Sequence, residues 1–179
     1  RGFPEFIQAV AILLKKRSNL QVVIAGEDRV CYGAKLLGTT YKKMMLEKLD
    51  LDLDRVHFVG SLPFNEYVNL LQISSAHVYL TYPFVCSWSL LDSMSCGCPI
   101  VASATEPVME FIENEKEGLL FNFYNIKEQV EKIEFALENK DYMQKLRENA
   151  RFKIEEQYAL KNLLPKHVEY LNEILNRVN

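Results

Sequence analysis

Short apolar runs that stop at a glycine or a small polar residue, each followed by a segment of helical periodicity, recur along this chain and limit its fold more than any other feature. Residues 21–25 (Gln-Val-Val-Ile-Ala) are β-branched, almost wholly apolar and closed by Gly26, the pattern of a strand buried on both faces. Val56-His57-Phe58-Val59 closes on Gly60 in the same way, and runs at 76–80, 100–103 and 119–121 complete a predicted set of five strands. Between them the apolar residues return every three or four positions, predicting helices over 4–16, 41–49, 64–73, 87–96 and 107–113. Repeated alternation of this kind forces parallel pairing, because each helix must carry the chain back across the sheet. The expected fold is therefore α/β, a doubly wound parallel sheet. From residue 126 onward the pattern is helical throughout (126–137, 142–157 and 160–178), with Pro165 as a bend or restart, which gives a helical C-terminal tail.

Composition narrows the function classes. A chain of 179 residues that is 49% apolar and 25% charged can bury roughly 70% of its unfolded surface, so one core and one domain spanning 1–179 are expected. With Lys+Arg 21 against Asp+Glu 24, the net charge of -3 gives no general pull toward nucleic acid; an anion site has to be built locally. Cys31, Cys86, Cys96 and Cys98 form neither a CxxC pair nor a disulfide framework, which suits a reducing, cytoplasmic setting and predicts no metal site. No apolar run approaches the length needed to span a bilayer. Such folds usually begin with a strand, whereas this sequence opens on a helix, so the first strand is expected upstream of Arg1.

In an open parallel sheet, ligands bind beyond the carboxyl ends of the strands, and helix starts there hold anions. The richest of these ends is the loop after 76–80, TYPFVCSWSLLDSMSCGCPIVAS, where a helix begins near Ser87. The first-turn N–H groups, at Trp88, Ser89 and Leu90, can face a diphosphate with a favourable dipole. The same pattern also reads as an ordinary serine cap on a helix packed by Leu90, Leu91 and Met94. His57 and His77 lie within apolar strands and His167 on the tail, positions that suit structural histidines more than catalytic ones. Cys96 and Cys98 flank Gly97 at a tight turn without a neighbouring base.

The run LLDSMSCGCPIVAS (residues 90–103) resembles the LLEAMACGxPVVAS signature of the retaining GT-B glycosyltransferases of family 4. The likeness continues in order: Arg1-Gly2 resembles the family's K-G, VVIAG its second strand, RVHFVGSLP its V-x-F-x-G-x-V strand, AHVYLTYPF the strand entering the donor loop, and EPVMEFIENEKEGLLF its vpEiI-dg-x-G-lLv segment. It covers nearly the whole chain and implies a Rossmann-like half of a GT-B fold. That half is the C-terminal, donor-binding domain, with an N-terminal acceptor domain outside the chain.

Carried over residue by residue, the resemblance implies that Asp92 accepts hydrogen bonds from the ribose of a nucleotide-diphospho-sugar; a helix-dipole acid is the plainer alternative. Arg1 takes the place of a phosphate-contacting lysine, with Arg29 as a lesser second cation. Gly60 and Ser61 line the slot for the base, where a glycine lets a ligand approach. Glu110, near Thr105 and Glu106, matches a family glutamate but equally suits an exposed helix acid. Phe84 departs from the pattern, standing where the family has the first acid of E-x7-E. No acid occurs from Thr81 to Leu91, so recognition of the donor sugar is expected to fall to the loop backbone or to Ser87, Trp88 and Ser89.

The resemblance implies hexosyl transfer to an acceptor such as a polysaccharide or glycolipid, without a cofactor or metal, with nucleotide-sugar as partner and possible peripheral membrane contact through the parent protein. Catalytic residues are not assigned. The competing expectation is a non-catalytic nucleotide-binding or protein-docking module that kept the fold, for which Phe84 is the best support. A phospho-acceptor domain would need clustered acids at strand ends, of which Gly26-Glu27-Asp28 is the only one, and a dehydrogenase would need a G-x-G-x-x-G helix start, which opens no helix here.

Overall fold

The computed structural model describes residues 2–30, 34, 36–82 and 84–178. Strand and helix alternate as β1 Val22–Ala25, β2 Val56–Gly60, β3 His77–Tyr79, β4 Ile100–Ser103 and β5 Leu119–Phe121, with α1 Phe3–Lys16 before β1 and α2 Tyr41–Lys48 before β2. Helices α3 Phe64–Ile73, α4 Trp88–Ser95 and α5 Glu106–Met109 follow β2, β3 and β4. The tail is α6 Ile126–Glu138, α7 Lys140–Lys153, a π-helical turn Ile154–Tyr158 and α8 Leu160–Val178.

Every strand pair is parallel, as the alternation requires, but the strands fall into two hydrogen-bonded groups: β1 with β2, and β3–β4–β5 with β4 in the middle. Helix α1 spans the two. Its Ile7, Val10 and Leu14 join Val22, Met45 and Val56, while its Ala9 and Leu13 join Leu80, Val101, Leu119, Phe121, Val130 and Ile133. A third cluster, with Tyr79, Leu90, Met94, Ile100, Ala102, Leu120, Ala150 and Ile154, covers the other face of β3–β5 with α4 and α7. The three-stranded group is thus covered on both faces, in line with its unbroken apolar runs.

The two-stranded group is not. The sequence predicts β1 buried on both faces, yet only Val22 is buried and Val23 is 41% exposed; on β2 His57 and Val59 are exposed beside it. The apolar run was sound evidence for a strand, but β-branched residues fit a pleated surface whether or not a second layer covers it. Three other boundaries shift. The helix expected over 107–113 is a single turn, Glu106–Met109, after which Glu115 adopts φ 65 and Asn114 bridges Gly118. The helix expected to run to 157 gives way to the π turn at Ile154, and α8 runs through Pro165 without a break in its assigned span.

Candidate functional site

The ends of β3 and β4 are locked together just beyond their ladder. The Thr81 N–H donates to Ser103 Oγ at 3.1 Å and that hydroxyl donates back to the Thr81 carbonyl at 3.3 Å, with both side chains buried. A second tie follows: Cys86 Sγ donates to the Pro107 carbonyl at 2.8 Å, holding the loop after β3 against the one after β4. The loop therefore enters α4 from a fixed origin.

At that entry Ser87 is the N-cap, in extended conformation (φ -88, ψ 155), but its side chain caps no amide. Its Oγ pairs instead with the hydroxyls of Ser89 and Tyr79, and its N–H donates to Tyr79 Oη at 2.9 Å. Tyr79, itself buried at the end of β3, braces the turn from below. The Leu90 N–H donates to the Ser87 carbonyl at 3.1 Å and the Leu90 side chain is fully buried, so its part is packing. This leaves the first-turn amides of Trp88 and Ser89 without a serine cap, beneath a Trp88 ring that is 81% exposed. Uncapped amides at the positive end of an eight-residue helix are an anion-binding arrangement.

One turn on, Asp92 is half-buried and accepts a hydrogen bond from Tyr67 Oη of α3 at 3.4 Å. Burial and then the nearby Asp92 charge push the Tyr67 phenol well above its ordinary value, so it stays a donor at any physiological pH. Tyr67 gave no signal in the sequence beyond its place on an amphipathic helix; nor did Tyr79.

Gly60 has a positive φ of 66 and open space where a Cβ would point, and its carbonyl accepts from the Gly26 N–H at 2.7 Å, closing the ends of β1 and β2. Arg1 lies outside the described residues. Arg29 is exposed and paired with Glu27 at 3.2 Å. Thr105 is buried with an unpartnered hydroxyl, whereas Glu106 and Glu110 point to solvent. Phe84 is exposed on the loop. His57 bonds Gln21 at 2.7 Å on the open face of β2, while His77 is half-buried with its Nε2 closed off from solvent and without a partner, and that burial lowers it to about 4. Cys96 and Cys98 are free thiols; burial raises Cys96 and pushes Cys98 up to about 12, which leaves no thiolate nucleophile at either. Among the described residues no three His, Cys, Asp or Glu side chains gather into a metal-binding group, and no helix is long and apolar enough to cross a membrane.

Comparison with known proteins gives a consistent picture. The profile described as "Glycosyl transferases group 1" matches residues 1–153. The N,N'-diacetylbacillosaminyl-diphospho-undecaprenol alpha-1,3-N-acetylgalactosaminyltransferase of Campylobacter jejuni is 29% identical over 152 residues, 84% of this chain and 36% of that protein. The chain thus spans about a third of the length of this curated relative. Among solved structures, Anabaena Alr3699/HepE in complex with UDP-glucose superposes with a TM-score of 0.76 at 18% identity, over 93% of this chain and 44% of that one. The C-terminal domain of the glycosyl transferase group 1 protein LpcC from Francisella tularensis gives 0.74 at 21% identity, over 89% of this chain and 80% of that one.

Proposed function

Since the chain belongs to the glycosyl transferases group 1 family, we propose that it is the donor-binding half of a retaining GT-B glycosyltransferase. The observation that carries this reading is the uncapped start of α4 beside Asp92. A nucleotide-diphospho-sugar lies across the strand ends: its pyrophosphate on the Trp88 and Ser89 amides, its ribose hydroxyls on Asp92, its base near Gly60 and Ser61. That the Anabaena neighbour was solved with UDP-glucose supports this choice of ligand class. In the transfer step the bond from the anomeric carbon to the diphosphate oxygen breaks, the acceptor oxygen bonds to that carbon, and the acceptor proton is released. Charge then builds on the departing diphosphate, where fixed amide dipoles stabilise it without reorganising. A cytoplasmic location and transfer without a metal belong to the same reading.

The acceptor binds a second α/β half of the same polypeptide. The parted sheet supports a further piece of this reading. Helix α1 leads into β1, and a right-handed crossover puts the strand that feeds α1 beside β1. Gly2, at the head of α1, packs against Leu80 at the end of β3. A strand arriving at Gly2 would therefore run parallel to both, between β1 and β3, giving a six-stranded order with its reversal point where α1 and α4 begin.

Titration calorimetry with UDP and with UDP-glucose tests the donor reading. Binding is expected, and Asp92→Ala should weaken both ligands by roughly tenfold or more, the loss of hydrogen bonds to a charged group. Undiminished binding after that change removes Asp92 from the site, and no binding of either ligand by the unaltered protein overturns the reading.

A further inference from the structure

The loop between Thr81 and Leu91 contains no carboxylate, yet the fold brings one to its edge from a distant part of the sequence. Glu5 sits in the first turn of α1, three residues after Gly2. At Gly2 the left-handed backbone (φ 103) and the lack of a side chain let the chain close on Leu80 and Phe123; a Cβ there would come within 2.6 Å of Leu80 Cβ and 3.1 Å of the Phe123 ring. Phe123 is the buried floor of an aromatic group. The Tyr82 ring lies 4.4 Å from it, the Tyr124 ring 5.0 Å from it, and the two tyrosine rings are 6.2 Å apart. Tyr82 is the third residue past β3 and Tyr124 the third past β5, and both rings are exposed, Tyr124 by 72%.

Glu5 itself is half-buried, and its Oε2 is closed off from solvent with no hydrogen-bond donor. A carboxylate oxygen left in that condition costs free energy that an incoming donor group recovers. Burial first, then the charge of Glu5, raises the Tyr82 phenol, which agrees with the two groups sharing one environment. Exposed aromatic faces beside an acceptor-only carboxylate are complementary to a pyranose, which offers apolar C–H faces and a rim of hydroxyl donors.

We propose that Glu5, Tyr82 and Tyr124 recognise the sugar of the donor, Glu5 accepting its hydroxyls and the two rings packing on its face. The proposal rests on the donor reading above and extends it to specificity. It assigns to α1 a carboxylate role that the loop cannot fill.

The test separates the two claims by comparing UDP with UDP-glucose and UDP-N-acetylgalactosamine on the same purified protein. Glu5→Gln keeps the shape and removes the charge. It is expected to leave UDP affinity unchanged while the gain in affinity contributed by the sugar falls about tenfold. Tyr124→Ala, at a position 72% exposed, should reduce the same gain and again spare UDP. A sugar gain unchanged in both variants overturns the proposal and leaves the donor reading intact; so does a wild-type protein that binds UDP as tightly as either diphospho-sugar. Parallel loss of UDP and diphospho-sugar binding shows Glu5 to be structural and also overturns it. Failure of the wild-type protein to bind UDP at all overturns the donor reading beneath it.

Discussion

Ser103 shows how much one hydroxyl can hold. It is fully buried, and it both accepts from the Thr81 N–H and donates to the Thr81 carbonyl, so it fixes the start of the loop that leads to α4. Ser103→Ala leaves two buried backbone groups without partners. The expected cost is about 1–3 kcal/mol, read as a lower urea midpoint at unchanged slope, together with weaker UDP binding as the loop origin loosens. Ser103→Cys, a near-isostere with a weak donor, should recover part of both. At this scale the sequence was only partly legible. Ser87 and Ser89 stood out because a helix start after a strand has few chemical uses, and Asp92 stood out only through the family resemblance. Tyr79, which braces Ser87, and Tyr67, which meets Asp92, could not be found that way, since their roles arise from side chains 8 and 25 residues apart meeting in space. Glu5 was invisible for the same reason: on the sequence it is merely a first-turn acid that suits the dipole of α1.

Elements were read more reliably than their surroundings. Periodicity and glycine punctuation located all five strands and the eight helices that the structure describes, because both signals are local. Burial of β1 on two faces was misjudged because cover is supplied by other elements. The division between β1 and β3 was equally illegible, as hydrogen bonding between strands depends on order across the sheet and not on order along the chain. The outer edges of these two strands give a direct measurement. In residues 1–179 alone, the amides of β1 and β3 that do not bond to β2 or β4 should exchange with solvent within seconds to minutes, on the order of local opening. With the upstream residues of the parent polypeptide restored, the same amides should become protected by a factor of at least about 100, while β4 changes little. Equal protection in both forms would mean that no strand enters between them.

For the molecule as a whole, stability should depend on pH through His77. Its Nε2 is closed off from solvent without a partner, and this burial lowers the ring from 6.5 to about 4. The folded state therefore holds it neutral over a range in which the unfolded chain takes up a proton. Above about pH 6.5 neither state is protonated and there is no penalty. As the pH falls from 6.5 to about 4 the unfolded state gains, and stability is lost by up to about 3 kcal/mol before levelling off. Denaturation midpoints taken at half-unit steps should show that decline, and His77→Phe should flatten it; an equal decline in the variant would assign it to other groups. Helix α8 stands apart from this core, with no buried residue among those described and with Leu160, Leu164, Val168, Leu171 and Leu175 exposed along one side.

The parted sheet also bears on how such a protein is made. If the strand that joins its two parts lies ahead of α1, a ribosome delivers that strand before any of its neighbours exist. It must wait, unpaired and apolar, until β1 and then β3 have emerged, so the interval between the two is when a nascent chain of this kind most needs shelter from other chains.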